Sequence, residues 1–436
     1  MPGWASQVLD QANRAFENQS YQTAYQQYAQ VYRLLPYRSD VKMRLAESAL
    51  QIGLVDEGRA WLQELAQSDK LSAEGWLSLA ALYEKDGNIA QAIVAYQRIP
   101  AESSESEAAH AKLLKLFISQ QKWSDAQVLA QTYSQNPLLI AGLGLFTSPG
   151  EAIQTIRQFA LDELLPLQLL TEELITESDP VAMSAIWIRI GEYFDDREEL
   201  DLARAAYQHA VDLAPQSGAA WAWLAGFLAH HGLDGGQEIQ QALTLDPDGF
   251  LVNQTAGYVN LQSNKPEIAL IYLQKARRIL PDDAQTLLLL SRAELTLGQY
   301  PQGLADWLAA AELTDEPDEI LRDIVEFTLQ NPLFLRDYGL PALRKIMQQE
   351  SPLPDDYDLA AKVYLSLEDP LTAERYWRTA MGKYPTSYIN HLHLGIWLVE
   401  SGSVDEGMAL VRKAAVQTTD ESTRLAAQQW LAGRGN

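Results

Sequence analysis

Residues 76–99 read WLSLAALYEKDGNIAQAIVAYQRI. Trp76, Leu79, Ala80 and Tyr83 stand at i, i+3, i+4 and i+7, which is one face of an α-helix. The run KDGN at 85–88 is turn chemistry. Gly87 suits a left-handed helix end, and Asn88 suits the cap of a following helix. Residues 89–99 then place Ala92 and Tyr96 four apart on a common stripe. Ala80 and Ala92 are small where two antiparallel helices must approach closely. The stretch reads as a helical hairpin.

A single hairpin cannot bury both of its faces, so the pattern should recur at a fixed period. Trp187, Ile190, Gly191, Phe194, Ala203, Tyr207, Ala210 and Pro215 reproduce it, with a proline to stop the second helix. So do Tyr357, Ala360, Ala361, Tyr364, Ala373, Trp377, Ala380 and Pro385. Ala256, Gly257, Ala269, Leu273, Ala276 and Pro281 match, as do Ala12, Ala24, Tyr28 and Pro36.

In this order of bulky, small and proline positions the sequence resembles the tetratricopeptide repeat family, whose motif is 34 residues long. Motifs start at 5, 39, 73 and 107, then 184, 218, 250 and 284, then 354 and 388. The step within each group is 34, except for 32 between 218 and 250, where the turn HHGLDGGQ reads as shortened by two residues. The resemblance implies an all-α fold, a right-handed α-solenoid of stacked antiparallel helix pairs. It divides the chain into an N-terminal array at 5–140, a divergent helical repeat at 141–183 and a central array at 184–317. A second divergent repeat at 318–353, a C-terminal pair at 354–421 and a capping helix at 421–433 follow. The divergent stretches keep apolar spacing at Ile153, Ile156, Phe159 and Ala160, and at Ile320, Ile324 and Phe327. They are not the Gly/Ser-rich or Pro-rich, apolar-poor composition of flexible linkers, so one continuous bent stack is expected.

A chain of 436 residues with 47% hydrophobic and 21% charged residues suits a folded repeat array and argues against global disorder. Its 33 basic and 58 acidic residues give a formal charge of −25, which repels phosphate backbones and disfavours direct nucleic-acid binding. The charge suits solubility, or else a basic partner. Residues 138–317 hold 9 basic and 26 acidic groups, a balance of −17, and would draw such a partner most strongly. The absence of cysteine excludes disulfides, thiolate zinc sites and a thiol nucleophile. No apolar run approaches the roughly 18 residues of a membrane span. The start lacks a signal-peptide pattern, so a cytoplasmic protein is the expectation.

Chemistry-bearing motifs are lacking. His110, His209, His230, His231, His391 and His393 offer no pair at the three- or four-residue spacing of a metal-binding helix face, and no metal or other cofactor is expected. His391 falls in the slot where other repeats carry Trp76 or Trp187, which makes it a core residue. No GxxxxGK[ST], GxSxG or HExxH occurs. The string GLGLFTSPG at 142–150 lacks the lysine of a phosphate loop. The acidic runs DDREE at 195–199 and PDDYD at 354–358 read as solvated turns. The chain is therefore expected not to be an enzyme.

In the family this sequence resembles, the first helices of successive repeats line a concave groove that takes extended peptides or helices. The corresponding positions here give a partner-binding groove of Arg189, Glu192, Trp223, Gln254, Tyr258 and Arg292. Ala222, Gly226 and Ala229 would leave room for a ligand side chain, or else serve close helix packing. Trp223 is two residues from Trp221, about 200° round the helix at ~100° per residue, and so belongs to another face. It packs on the neighbouring repeat or anchors a ligand. The carboxylate clamp of one family subset is not supplied: Leu77, Ala81, Ile188 and Glu192 occupy its positions, and only Asn13 matches, beside Leu9. The expected function is a protein-interaction scaffold or adaptor for a peptide or helix of a partner. The alternative is a regulatory sensor of a small peptide or ligand. Off-stripe Trp4, Trp61 and Trp397 mark self-association or packing between repeats.

Overall fold

The computed structural model describes residues 3–159 and 161–434, and Ala160 of the first divergent segment lies outside them. Among the described residues all regular structure is helical, an all-α solenoid of stacked antiparallel helix pairs. The chain forms two compact units, Met1–Ala214 and Pro215–Asn436.

The opening stretch forms helices Ala73–Lys85 and Ile89–Gln97, the second ending two residues short of Ile99. Gly87 takes φ +73°, the left-handed region that ends the first helix. Asn88 does not cap the second helix through its side chain; its amide donates to Gln91 instead, at 2.9 Å. Ser72 caps the first, its hydroxyl accepting from the Gly75 amide at 3.1 Å. Leu79, Ala80, Ala92 and Tyr96 are all buried between the helices and their neighbours. A fully buried leucine stabilises by about 2 kcal/mol. No one pair encloses its own core, and the apolar clusters run across successive pairs.

Close crossings fall where the sequence is smallest. A Cβ on Gly191 would lie 2.9 Å from the Tyr207 ring, and one on Gly257 would lie 2.3 Å from Leu273 Cγ. Leu273 is wholly buried and has no room to yield. Gly257→Ala is therefore expected to cost about 1–3 kcal/mol through overpacking. A urea midpoint that falls at constant slope checks this, and an unchanged midpoint would show that the two helices can part without cost.

The pair following position 218 departs from the sequence expectation. Its turn is not shortened: helix Gly218–His230 ends, and helix Gly236–Leu245 begins only at Gly236. The missing residues come out of the second helix, which has 10 residues where the pairs on either side have 14. Gly235 permits the tight join, since a Cβ there would meet the Ala225 carbonyl at 2.5 Å.

The divergent stretches are helical but irregular. In the first unit, Pro137–Thr147, Pro149–Phe159 and Leu165–Thr176 precede the long helix Pro180–Asp195. In the second, Asp318–Gln330 is followed by a short 3-10 turn, a π-helical turn Leu335–Gly339 and helix Leu340–Met347. Pro332 disfavours continuation of the helix before it. Pro341 has no N–H to give to the preceding turn, and the chain widens there. Helix Glu421–Gly433 closes the second unit, packing Ala427 against Val411 and Ala414.

Candidate functional site

The six residues singled out in the sequence lie in both units, Arg189 and Glu192 on helix Pro180–Asp195 and the other four beyond residue 215. Arg189 is exposed and pairs with Glu173 at 2.8 Å. Glu192 is half-buried, and burial followed by the charge of Asp196 pushes its carboxyl up. Trp223 is half-buried on helix Gly218–His230. Gln254 is engaged within the stack: its amide donates to Asp283 Oδ2 at 2.7 Å and Thr286 Oγ1 at 2.9 Å, tying one repeat to the helix cap of the next. The Tyr258 hydroxyl accepts from Gln262 at 2.9 Å and meets His230 Nδ1 at 3.1 Å. Arg292 is exposed.

Ala222 and Ala229 do not leave room for a ligand side chain. Both are buried in a cluster with Val252, Ala256 and Val259, because two first helices approach closely there. Gly226 sits against Thr255, whose Cγ2 would be 3.4 Å from an added Cβ. Nor are Trp61 and Trp397 exposed: Trp61 stacks edgewise on Tyr32 at 5.0 Å, and Trp397 packs on Trp377 at 6.1 Å. Trp4 is 51% exposed.

A concavity of the second unit lies further along the chain. A cavity of about 610 Å³ is lined by Arg322, Asp355, Asp358, Lys362, His393 and Asp420, with Glu326 and Tyr388 among its further walls. These residues come from helices Asp318–Gln330, Pro354–Ser366, Ile389–Glu400 and the start of Glu421–Gly433. The reading of 354–358 as a solvated turn is overturned here. The run is the first turn of a helix, and within it Asp356 is 0% and Asp358 4% exposed.

Both buried carboxylates are held by several donors, as burial requires. Asp356 accepts from Arg322 Nε at 2.7 Å and from the Leu353 amide at 2.6 Å. Asp358 Oδ1 accepts from Trp377 Nε1 at 2.8 Å and meets His393 Nδ1 at 2.6 Å, while Oδ2 pairs with Lys362 at 2.7 Å. Burial would raise the Asp358 carboxyl, but His393 and Lys362 outweigh it and hold the group below its ordinary value. The cations of the cavity are thus committed. Glu326 and Asp355 form no ion pair among the described residues, and burial plus the charges of Asp358, Asp356 and Asp420 push Asp355 up. Asp420 caps its helix through Thr423 and Ser422, whose hydrogen bonds lower it to about 2.

The sequence did carry a signal for this place. Asp355, Asp358 and Lys362 stand at i, i+3 and i+7, a charged stripe distinct from the Tyr357, Ala360, Ala361, Tyr364 core stripe. His391 is 2% exposed and belongs to the core, burial and then Lys413 keeping its imidazole low. Among the described residues no group of three or more His, Asp or Glu side chains is placed to hold a metal ion. No helix among them is long and apolar enough to cross a membrane.

Stacked helical hairpins of this kind, with small residues at each crossing, define a helical repeat protein. Residues 15–83 and 188–249 match models of the tetratricopeptide repeat, so the chain carries repeats of that kind. No curated protein sequence matches it. Among solved structures, yeast Tom70 is 16% identical, over 99% of this chain and 95% of that one, with a TM-score of 0.34. Pseudomonas aeruginosa PilF is 17% identical over 50% of this chain and 97% of its own, with a TM-score of 0.38. Likeness at that level transfers no partner or activity.

Proposed function

We propose that this chain is a non-enzymatic interaction scaffold of the cytoplasm, holding an extended peptide or helix of a partner protein along its first helices. The observation that carries this reading is the cavity of about 610 Å³ walled by helices Asp318–Gln330, Pro354–Ser366 and Ile389–Glu400 and the start of Glu421–Gly433. Its spare charge is negative, since Arg322, Lys362 and His393 are committed to Asp356 and Asp358 while Glu326 and Asp355 form no ion pair among the described residues. A lysine or arginine of the partner complements it, its aliphatic stem lying along Tyr388 and Leu359. The exposed Arg292 and half-buried Trp223 and Tyr258 extend the contact toward the central repeats. Trp4 is the candidate contact for self-association.

The test is a fluorescence-anisotropy titration of labelled peptide pools, matched in length and differing in lysine and arginine content. Basic pools should bind, and Glu326→Lys/Asp355→Lys should weaken them at least tenfold, more so at low salt. Trp223→Ala/Tyr258→Ala should weaken them less. Equal binding of basic and acidic pools, or a charge-reversed variant that binds as well as the original, would sink the basic-partner reading.

A further inference from the structure

The second unit buries a carboxyl group, one oxygen of which has no hydrogen-bond partner among the described residues. Glu294, on helix Ala284–Thr296, is 6% exposed, and its Oε2 has no hydrogen-bond partner. Two charges face it from the helices packed alongside. Asp306, also 6% exposed, comes from Tyr300–Leu313, and Arg277 comes from Pro266–Ile279. Arg277 is taken, its guanidinium donating to Asp306 Oδ2 at 2.7 Å. The third helix packed against it, Phe250–Gln262, carries no charged residue, and its Tyr258 is engaged by His230 and Gln262.

An ionised Glu294 would leave two buried carboxylates sharing one guanidinium. A protonated Glu294 removes that conflict. We propose that Glu294, Asp306 and Arg277 form a proton-controlled joint among helices 266–279, 284–296 and 300–313, closed while Glu294 holds its proton and loosened when it ionises. Glutamate at this position costs more as pH rises above the ordinary carboxyl range, so the packing of helices 284–296 and 300–313 depends on pH.

The sign follows from linkage. Burial, and then the charge of Asp306, raise the Glu294 carboxyl from 4.5 to about 7, with Arg277 opposing. Between these values the folded chain keeps a proton that the unfolded chain has released. Stability therefore falls as pH rises through that window and is level beyond it. At full extent the unfolding equilibrium shifts on the order of 100-fold.

The experiment is urea unfolding of the full chain from pH 5 to 8.5, original against Glu294→Gln, with hydrogen exchange followed peptide by peptide. The nearly isosteric amide cannot ionise. The ratio of the two unfolding constants should grow on the order of 100-fold across the window. Exchange in 284–313, corrected for its intrinsic pH dependence, should quicken with pH in the original chain and not in the variant. Asp306→Asn should move the midpoint of that change to lower pH, because the neighbouring negative charge is gone. Parallel pH profiles for the original and Glu294→Gln would overturn the proposal. So would extra exchange spread evenly over the unit, or a midpoint indifferent to Asp306→Asn.

Discussion

Asp356→Ala is expected to destabilise the second unit by about 3–5 kcal/mol, the range for removing one partner of a buried ion pair. The carboxylate is wholly buried, and it satisfies the Arg322 guanidinium and the Leu353 amide at once. Alanine strands both donors, and Arg322, 28% exposed, is only partly able to turn to water. The amide also belongs to the start of helix Pro354–Ser366, so a helix end loses its cap together with the ion pair. Urea unfolding at constant slope measures the loss. Asp356→Asn should cost less, because the amide oxygen still accepts from the Leu353 N–H. A cost below about 1 kcal/mol for alanine would mean that the pair behaves like an exposed one.

Trp377→Ala is expected to cost a similar 3–5 kcal/mol, for a different reason. Its ring is 2% exposed in the cluster with Ala361, Ala373, Leu394 and Leu398. Its Nε1–H is one of three donors on Asp358. Trp377→Phe separates the two contributions: most of the apolar burial stays, and the lost hydrogen bond should cost about 1–2 kcal/mol. It should also weaken the hold on the Asp358 carboxylate. That carboxyl lies below its ordinary value, so its stabilisation is present above the unfolded pKa and is lost as pH falls through the folded one. In the phenylalanine variant the acid limb of unfolding should therefore be smaller and level off at higher pH. An unmoved acid limb would show that His393 and Lys362 suffice.

How much of this was legible beforehand depended on the range of the signal. The hairpin at 76–99 and its recurrences were readable because a helix face has a local period and the turn glycine a local cause. His391 was placed in the core by the same register, from the slot it shares with Trp76 and Trp187. The shortened motif after 218 was detected by its length but assigned to the wrong element. A two-residue deficit does not reveal whether the turn or the helix gives way, and that was settled by how closely Gly235 lets the chain pass Ala225.

The charged positions were harder to read for a physical reason. A run such as PDDYD has the composition of a solvated turn, and nothing within it shows that Arg322, 34 residues earlier, reaches Asp356. The same holds for Gln254, whose partners Asp283 and Thr286 lie in the following repeat. It holds also for Ala222 and Ala229, which read equally as vacant space or as close packing until the facing helix was in view.

The sequence alone determined the helix-pair repeat, its register and the small residues at each crossing, since these follow from periodicity and side-chain size within one hairpin. Only the tertiary structure decided which carboxylates are buried, which cations are spent on them and where a cavity remains. Those outcomes depend on pairs of residues a full repeat apart, brought together by stacking, and local pattern carries no record of such distances.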